Sequence, residues 1–180
     1  MKKRFTLLLL AQVFLFMFSM ACFADSDIPM KKQTVLGKYL TAKEAYEKYS
    51  RDSGNVKVLD VRTLGEYVFV GHPSMAVNIP ANFLKPGITQ EKTPVMPANE
   101  NFVAEVMKRF KKTDTILVIC RSGGRSAAAV NQLAKAGFND LYTVVDGFEG
   151  DSDENGRRTV NGWINSGVPW TYELDPALVY

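Results

Sequence analysis

The sequence predicts an α/β domain built on a mainly parallel β-sheet. Strand-like apolar runs alternate along the chain with amphipathic segments of helical period, which is typical of that class. The run TILVIC at residues 115–120 is apolar and rich in β-branched side chains, as expected of a central strand covered on both faces. A length of 180 residues suits one domain, and 46% hydrophobic with 23% charged residues excludes a disordered, collagen-like or disulfide-stapled chain.

The individual elements follow from local signals. Thr41 and Glu44 form a capping box at the start of a first helix, because each side chain there satisfies an exposed amide. A second helix is predicted around residues 102–110, and a third over residues 126–136, with Gly137 at a typical helix end. Strands are predicted at residues 56–61, 77–79, 115–120 and 141–145.

The first 24 residues have the layout of a secretory signal peptide. Three basic residues precede an apolar stretch at residues 5–20, and small residues stand at the positions expected for cleavage after Ala24. The alternatives are an uncleaved membrane anchor and a lipoprotein signal at Cys22, the latter disfavoured by Ser19. All three imply export, which we expect to be to the periplasm, with membrane association only if the signal is uncleaved.

The chain without this signal is electrically balanced and contains one cysteine. Removing the three basic residues at positions 2–4 from the 22 in the sequence leaves 19, equal to the 19 acidic residues. This balance gives no compositional reason to expect a nucleic-acid partner. Cys22 would leave with the signal, so that Cys120 remains alone. A lone thiol in an exported chain indicates chemistry or intermolecular pairing, against the alternative of a buried apolar residue.

The sequence around Cys120 favours chemistry. Residues 120–126, here called the cysteine loop, read CRSGGRS and lie between a predicted strand and an alanine-rich helix. Gly123 and Gly124 allow the backbone to curl so that successive amides point inward and form an anion-binding nest at a helix N-terminus. Such a nest favours the thiolate, and Arg121 and Arg125 add positive charge. A nucleophile in this setting suits attack on an anionic substrate.

Four stretches in the same order resemble the rhodanese (sulfurtransferase) family. They are VLDVR at 58–62 with Glu66 and Tyr67, GH at 71–72 with AVNIP at 76–80, the cysteine loop, and Trp163 with GVP at 167–169. The resemblance implies a three-layer fold with a five-stranded, mainly parallel sheet flanked by helices. The expected division is a signal peptide at 1–24, a flexible lead-in at 25–37, a rhodanese-like domain at 38–172 and a C-terminal tail at 173–180.

The resemblance also implies a persulfide mechanism that needs no metal or organic cofactor. Cys120 would take a sulfane sulfur from a small anionic donor such as thiosulfate and pass it to cyanide or a thiol. A protein that donates or accepts sulfur is a further candidate partner. The substrate would bind at the residues that follow the nucleophile, namely Arg121, Ser122, Gly123, Gly124, Arg125 and Ser126.

The length of the cysteine loop separates this chemistry from a related one. Cysteine phosphatases use C-x5-R, whereas Arg125 follows Cys120 as C-x4-R, which argues against phosphatase or arsenate-reductase activity. Two alternatives remain. One is a persulfide relay with little thiosulfate activity, and the other is a non-catalytic binding module, against which the intact loop argues. A redox role is disfavoured because the exported chain lacks a resolving cysteine.

Three further residues are expected to support the site rather than react. Asp60 and Arg62 end a strand at the edge where sites form in parallel sheets. The family pattern favours a structural ion-pair set, with Arg62 paired to Glu66, over contact of Arg62 with the substrate. His72 is the only histidine, but its place in the pattern favours a structural role over that of a general base.

Two segments are predicted to be insertions. Residues 81–98 contain three prolines and no periodicity, which favours a surface insertion over a functional loop. Residues 149–159 delay Trp163 relative to the family pattern and could shape the rim of the site. Their tract DSDENG resembles the first half of a calcium loop, but Gly162 stands where the bidentate Glu belongs, so that a solvated turn is favoured.

Overall fold

A central sheet of five parallel strands organises the protein. The computed structural model describes residues 28–180, so the signal-peptide prediction lies outside the described residues. The strands are β1 (Tyr39–Leu40), β2 (Val56–Asp60), β3 (Val77–Asn78), β4 (Lys85–Ile88), β5 (Pro94–Val95), β6 (Thr115–Ile119) and β7 (Leu141–Val144). Strands β4 and β5 form a separate antiparallel pair, and the other five form the sheet in the order β1–β7–β6–β2–β3. The predicted α/β class and five-stranded parallel sheet are confirmed.

Within residues 28–180, four α-helices flank the sheet, and two of them differ from the predicted elements. They are α1 (Ala42–Arg51), α2 (Leu64–Val70), α3 (Phe102–Arg109) and α4 (Gly124–Lys135). The capping box at the start of α1 is formed as predicted. Helix α2 is not predicted, although Thr63 and Glu66 form a second capping box before it. Helix α4 begins at Gly124, two residues before the predicted start at residue 126, because the left-handed Gly123 (φ 97°) turns the chain into the helix there.

Two apolar clusters, one on each face of the sheet, make up the core and give the three layers. Ile116 and Val118 of β6 face α3 and α4, whereas Leu117 and Ile119 face α1 and Trp163. Because side chains alternate across a strand, a strand buried on both faces must be apolar at every position. This explains the continuous TILVI run.

The segments outside the predicted elements are ordered into structure. The insertion at 81–98 carries the β4–β5 hairpin, whose first strand is exposed at all four residues. Residues 28–36 of the lead-in are packed against the domain, so the prediction of a flexible segment is wrong there. Met30–Lys32 form a 3-10 turn on α4, and Lys32 is buried. Within residues 28–180, no helix is long and apolar enough to cross a membrane.

Candidate active site

The cysteine loop begins where β6 ends and leads directly into α4. The thiol of Cys120 is buried, and its Sγ accepts a hydrogen bond from the Gly123 amide at 3.2 Å. The thiol also donates to Ser126 Oγ at 3.5 Å. Ser126 Oγ in turn donates to the Gly123 carbonyl at 2.9 Å and accepts from Thr143 Oγ1 at 3.0 Å. Gly123 and Ser126 are therefore the inner contacts of the sulfur, and of the predicted amides that of Gly123 is bonded to it.

Only glycine fits at position 123 in this turn. Its φ of 97° lies in the left-handed region, which side chains other than glycine rarely adopt. A Cβ built on it would also lie 2.2 Å from the Val145 carbonyl oxygen, well inside contact distance. The absence of a side chain therefore allows Gly123 to lie against Val145, directly after β7, while its amide reaches the sulfur.

A second main-chain segment holds the start of the cysteine loop from outside. The Phe148 amide donates to the Cys120 carbonyl at 2.7 Å, and the Glu149 amide donates to the Arg121 carbonyl at 2.9 Å. A Cβ on Gly147 would lie 2.6 Å from those carbonyl oxygens, so glycine is required for this close approach. The segment after β7 thus fixes the loop carbonyls and leaves Arg121 exposed on the surface.

Arg125 is fixed beside the thiol by Glu66, so the predicted pairing of Arg62 with Glu66 is wrong. The guanidinium donates to the two Glu66 carboxylate oxygens at 2.7 and 2.5 Å. Glu66 lies in the first turn of α2, where it also caps Thr63, and this position directs it toward the cysteine loop. Burial lowers the pKa of Arg125, but Glu66, with smaller contributions from Cys120 and Asp60, raises it above its ordinary value. The loop therefore keeps a fixed cation next to its sulfur.

The Glu66–Arg125 pair predicts a stability loss in acid. Burial raises the pKa of Glu66, but hydrogen bonds and charge from Arg125, together with Thr63, outweigh it and hold the pKa at about 2. Because the folded pKa lies below the unfolded value of 4.5, the stabilisation is complete above about pH 4.5 and is lost as pH falls toward about 2. The shift corresponds to about 3 kcal/mol, which urea unfolding at a series of acidic pH values would measure. Glu66→Gln should abolish this contribution, and an unchanged acid dependence in that variant would contradict the prediction.

Asp60 and Arg62 form a buried ion pair that supports the site, as the family pattern favours. Both side chains have no solvent exposure, and Arg62 Nη2 donates to Asp60 Oδ2 at 2.7 Å. Arg62 Nη2 also donates to the Gly71 carbonyl at 2.7 Å, and the guanidinium carbon lies 4.1 Å from the Phe148 ring centroid. Asp60 and Arg62 therefore connect the end of β2 to the segment that holds the cysteine loop.

His72 is engaged by Tyr67 rather than by Cys120. The His72 ring stacks on Tyr67 with centroids 3.6 Å apart, and its Nδ1 lies 3.0 Å from the Tyr67 carbonyl oxygen. The ring is buried, and its main chain pairs with Thr171. These contacts agree with a structural role.

Two acidic residues near the site were not singled out from the sequence as site residues. Asp146 is buried and accepts from the Ala42 amide at 2.8 Å and the Gly162 amide at 3.1 Å. Burial raises the pKa of Asp146, and these amides partly offset the effect. Burial also raises the pKa of Glu149, which Arg62 offsets and Glu66 increases. An Asp-Gly pair directly after an apolar strand is the local signal that could have identified Asp146.

Asp151 and Asp153 of the acidic tract in the 149–159 insertion accept hydrogen bonds from protein groups. Asp153 Oδ1 accepts from the amides of Asn155 and Arg157, and Asp151 bonds to Lys32 and Asn161. Across residues 28–180, no group of three or more His, Cys, Asp or Glu is arranged to hold a metal ion. The tract forms a turn closed by a bridge between Ser152 and Arg158.

A parallel α/β sheet with a thiol caged at its carboxyl edge, at the start of a helix, defines a class of proteins with a reactive cysteine loop. The profile of the Rhodanese-like domain matches residues 41–154. The chain therefore belongs to the rhodanese-like family, which supports an activity of the sulfurtransferase type at the level of the family.

Individual relatives agree with this assignment. An uncharacterised protein of Rickettsia prowazekii, RP600, is 31% identical over 122 residues, which are 67% of this chain and 86% of the relative. Thiosulfate sulfurtransferase 16 of Arabidopsis thaliana, a chloroplastic protein, is 32% identical over 63% of this chain and 78% of its own length. The crystal structure of Rv0390 from M. tuberculosis superimposes with a TM-score of 0.63 at 31% identity, covering 76% of this chain and 98% of that one.

Proposed function

We propose that the protein is a sulfurtransferase that carries a sulfane sulfur on Cys120 as a persulfide. The observation that carries the proposal is the buried Sγ, which accepts the Gly123 amide and lies at the start of α4. Amides and the helix N-terminus favour negative charge at that point, so they support both the thiolate and the persulfide anion.

The proposed reaction with thiosulfate is balanced without a cofactor. The Cys120 thiolate attacks the outer sulfur of thiosulfate, a new S–S bond forms, the S–S bond of thiosulfate breaks, and sulfite leaves with the electron pair. Cyanide or a thiolate then attacks the terminal sulfur of the persulfide, and Cys120 leaves as the thiolate. The amides of residues 121–126 and the cations of Arg121 and Arg125 would bind the incoming anion.

The family and the similarity to thiosulfate sulfurtransferase 16 of Arabidopsis thaliana support thiosulfate as a donor to test first. The alternatives are a relay that receives persulfide sulfur from another protein or a small persulfide, and a binding module without turnover. The intact cysteine loop favours transfer over the binding module, because the thiol and its amide donor are both in place.

Export to the periplasm is part of the proposal. It rests on residues 1–24, whose basic start, apolar centre and small residues before Asp25 are typical of a signal peptide. In that compartment the proposed partners are a small anionic sulfur donor and a thiol, cyanide or protein acceptor.

Intact-protein mass spectrometry of the exported protein, before and after thiosulfate, tests these proposals together. A mass that starts at Asp25 and gains one sulfur atom, removed by cyanide, would support cleavage and a competent persulfide. A retained N-terminus would indicate a membrane-tethered form. Absence of the sulfur adduct with thiosulfate would contradict thiosulfate as the donor. An adduct obtained only from persulfide donors would then indicate the relay.

Arg125→Ala should raise the KM for thiosulfate by about tenfold, because a fixed cation beside the sulfur is lost. The matched variant is Glu66→Gln, which breaks the same ion pair but removes the negative charge instead. We expect this variant to leave the KM unchanged or lower it. Steady-state kinetics of thiocyanate formation measures both. If both variants raise the KM equally, the pair acts through structure alone and Arg125 does not attract the donor.

A further inference from the structure

The lead-in and the 149–159 insertion meet beside the cysteine loop. Lys32, in the 3-10 turn that packs on α4, places its Nζ 3.1 Å from Asp151 Oδ1. The Lys32 side chain is 9% exposed, whereas that of Asp151 is 46% exposed. A lysine is rarely so buried unless its charge is paired. This burial indicates that the ion pair with Asp151 fixes the position of the Lys32 side chain and is not merely a surface contact.

The stem of Lys32 covers Gly123, the residue that donates its amide to the sulfur. Lys32 Cδ lies 3.0 Å from the position that a Gly123 Cβ would occupy, and the Lys31 carbonyl oxygen lies 3.8 Å from the corresponding position on Gly124. The Val145 carbonyl oxygen also lies against Gly123. Gly123 is thus enclosed by β7 and by the lead-in, which restricts the direction of its amide.

Asp151 is itself tied to the start of the cysteine loop. Its amide donates to Asn161 Oδ1 at 2.8 Å, and Asn161 Nδ2 donates to Asp151 Oδ2 at 3.1 Å. The preceding residue, Gly150, donates its amide to the Arg121 carbonyl at 3.3 Å. Asp151 is therefore a fixed anchor for the lysine, one residue from a contact with the loop.

We propose that the Lys32–Asp151 ion pair holds the Gly123 amide against Cys120 Sγ, which makes Lys32 a positioning residue for the sulfur-carrying thiol. The inference rests on the proposed function of Cys120. Loss of Asp151 would leave the buried ammonium without its hydrogen-bonded carboxylate, with only the charge of Asp146 still acting on it, and movement of the ammonium into water would draw the stem away from Gly123. Loss of the ammonium would leave the stem without its anchor. Either change would release the turn at Gly123, which directs the Gly123 amide toward Cys120 Sγ.

The test is the alkylation of Cys120 by iodoacetamide across pH, followed on the peptide that carries it. The variants are Lys32→Met, which keeps an unbranched stem, Asp151→Asn, and both together. We expect each single variant to lower the alkylation rate at neutral pH by about three- to tenfold, as expected for weakening a hydrogen bond to a charged sulfur, and to move the profile to higher pH. The double variant should be no slower than the slower single variant, because the two residues act as one unit.

The Lys38–Asp140 pair provides a matched control directly after the lead-in. Its Nζ–Oδ1 distance is 2.7 Å, and its side chains are 35% and 33% exposed. Asp140 also accepts from Thr115 at the start of β6, at the opposite end of that strand from Cys120. Lys38→Met and Asp140→Asn should leave the alkylation profile unchanged.

Two outcomes would overturn the inference. One is a wild-type alkylation profile in both Lys32→Met and Asp151→Asn, and the other is an equal shift in the Lys38 and Asp140 variants. Circular dichroism identifies a variant that fails to fold, and the half-exposed Asp151 makes Asp151→Asn the milder change. Alkylation does not require turnover. A wild-type protein inactive with every sulfur donor would therefore contradict the proposed function, but the alkylation test could still be interpreted.

Discussion

Replacing Cys120 with serine should reduce sulfur transfer to the uncatalysed rate, a loss of at least about a thousandfold, while the protein remains folded. A serine hydroxyl does not form the sulfur–sulfur bond on which the proposed reaction depends. The fold should persist because a serine oxygen still accepts the Gly123 amide that now donates to Sγ at 3.2 Å. Thiocyanate formation and thermal unfolding measure the two halves of this prediction.

The matched control is Cys22→Ser, the same substitution at the other cysteine of the sequence. Its purified product should show wild-type turnover, because Cys22 belongs to the segment that we expect to be removed. Wild-type turnover in Cys120→Ser would remove Cys120 from the mechanism. Loss of the folded state in that variant would instead show that the thiol has a structural role that serine does not replace.

Replacing Asp60 with asparagine should destabilise the protein by about 3–5 kcal/mol. Asp60 Oδ1 accepts from the Arg62 amide and Nε, and Oδ2 accepts from Nη2, with both side chains inaccessible to solvent. The substitution leaves a buried guanidinium without a counterion, and desolvation of an unpaired charge is costly. Because folded domains are stable by only about 5–15 kcal/mol, this loss removes a large part of the total.

Asp140→Asn is the appropriate comparison for Asp60→Asn. It breaks the ion pair between Asp140 and Lys38, whose side chains are each about one-third exposed. An exposed pair of this kind should contribute less than about 1 kcal/mol. Urea unfolding of the two variants compares them directly. Equal losses would contradict the view that the Asp60–Arg62 pair owes its importance to burial.

The sequence predicts the local parts of the fold well because their causes are local. The ILVI run at residues 116–119 is apolar at every position and is buried on both faces, and the Thr41 capping box begins α1 as expected. Helix α2 escapes prediction because Gly65, Val68 and Val70 lower its helix propensity, and packing of Tyr67 in the core compensates. Strand β1 has two residues and depends on its partner β7 for its existence.

The same distinction applies to the site. The thiol, its glycine turn and the start of the helix that follows lie within seven consecutive residues, so this part of the site could be predicted from the sequence. The partners of its charges could not be, because Arg125 meets Glu66 across 59 residues and Lys32 meets Asp151 across 119. Arg62 and Glu66 lie close together in the sequence and suggest an ion pair. The direction of α2 prevents that pair. The partners of Arg125 and Lys32 are set by topology, whereas the Asp60–Arg62 pair is local in the chain.

The position of β1 at the sheet edge beside β7 has a consequence for the order of folding. The Ala42 amide at the start of α1 donates to Asp146, which lies 104 residues later in the chain. Strand β1 pairs only with Thr143 and Val144. Contacts between such distant segments form slowly, because the entropic cost of closing a large loop arises before the contacts can offset it. Phe148 and Glu149, whose amides bond to the carbonyls of Cys120 and Arg121, also lie beyond β7. During synthesis, the sulfur is therefore caged only after the last strand has emerged.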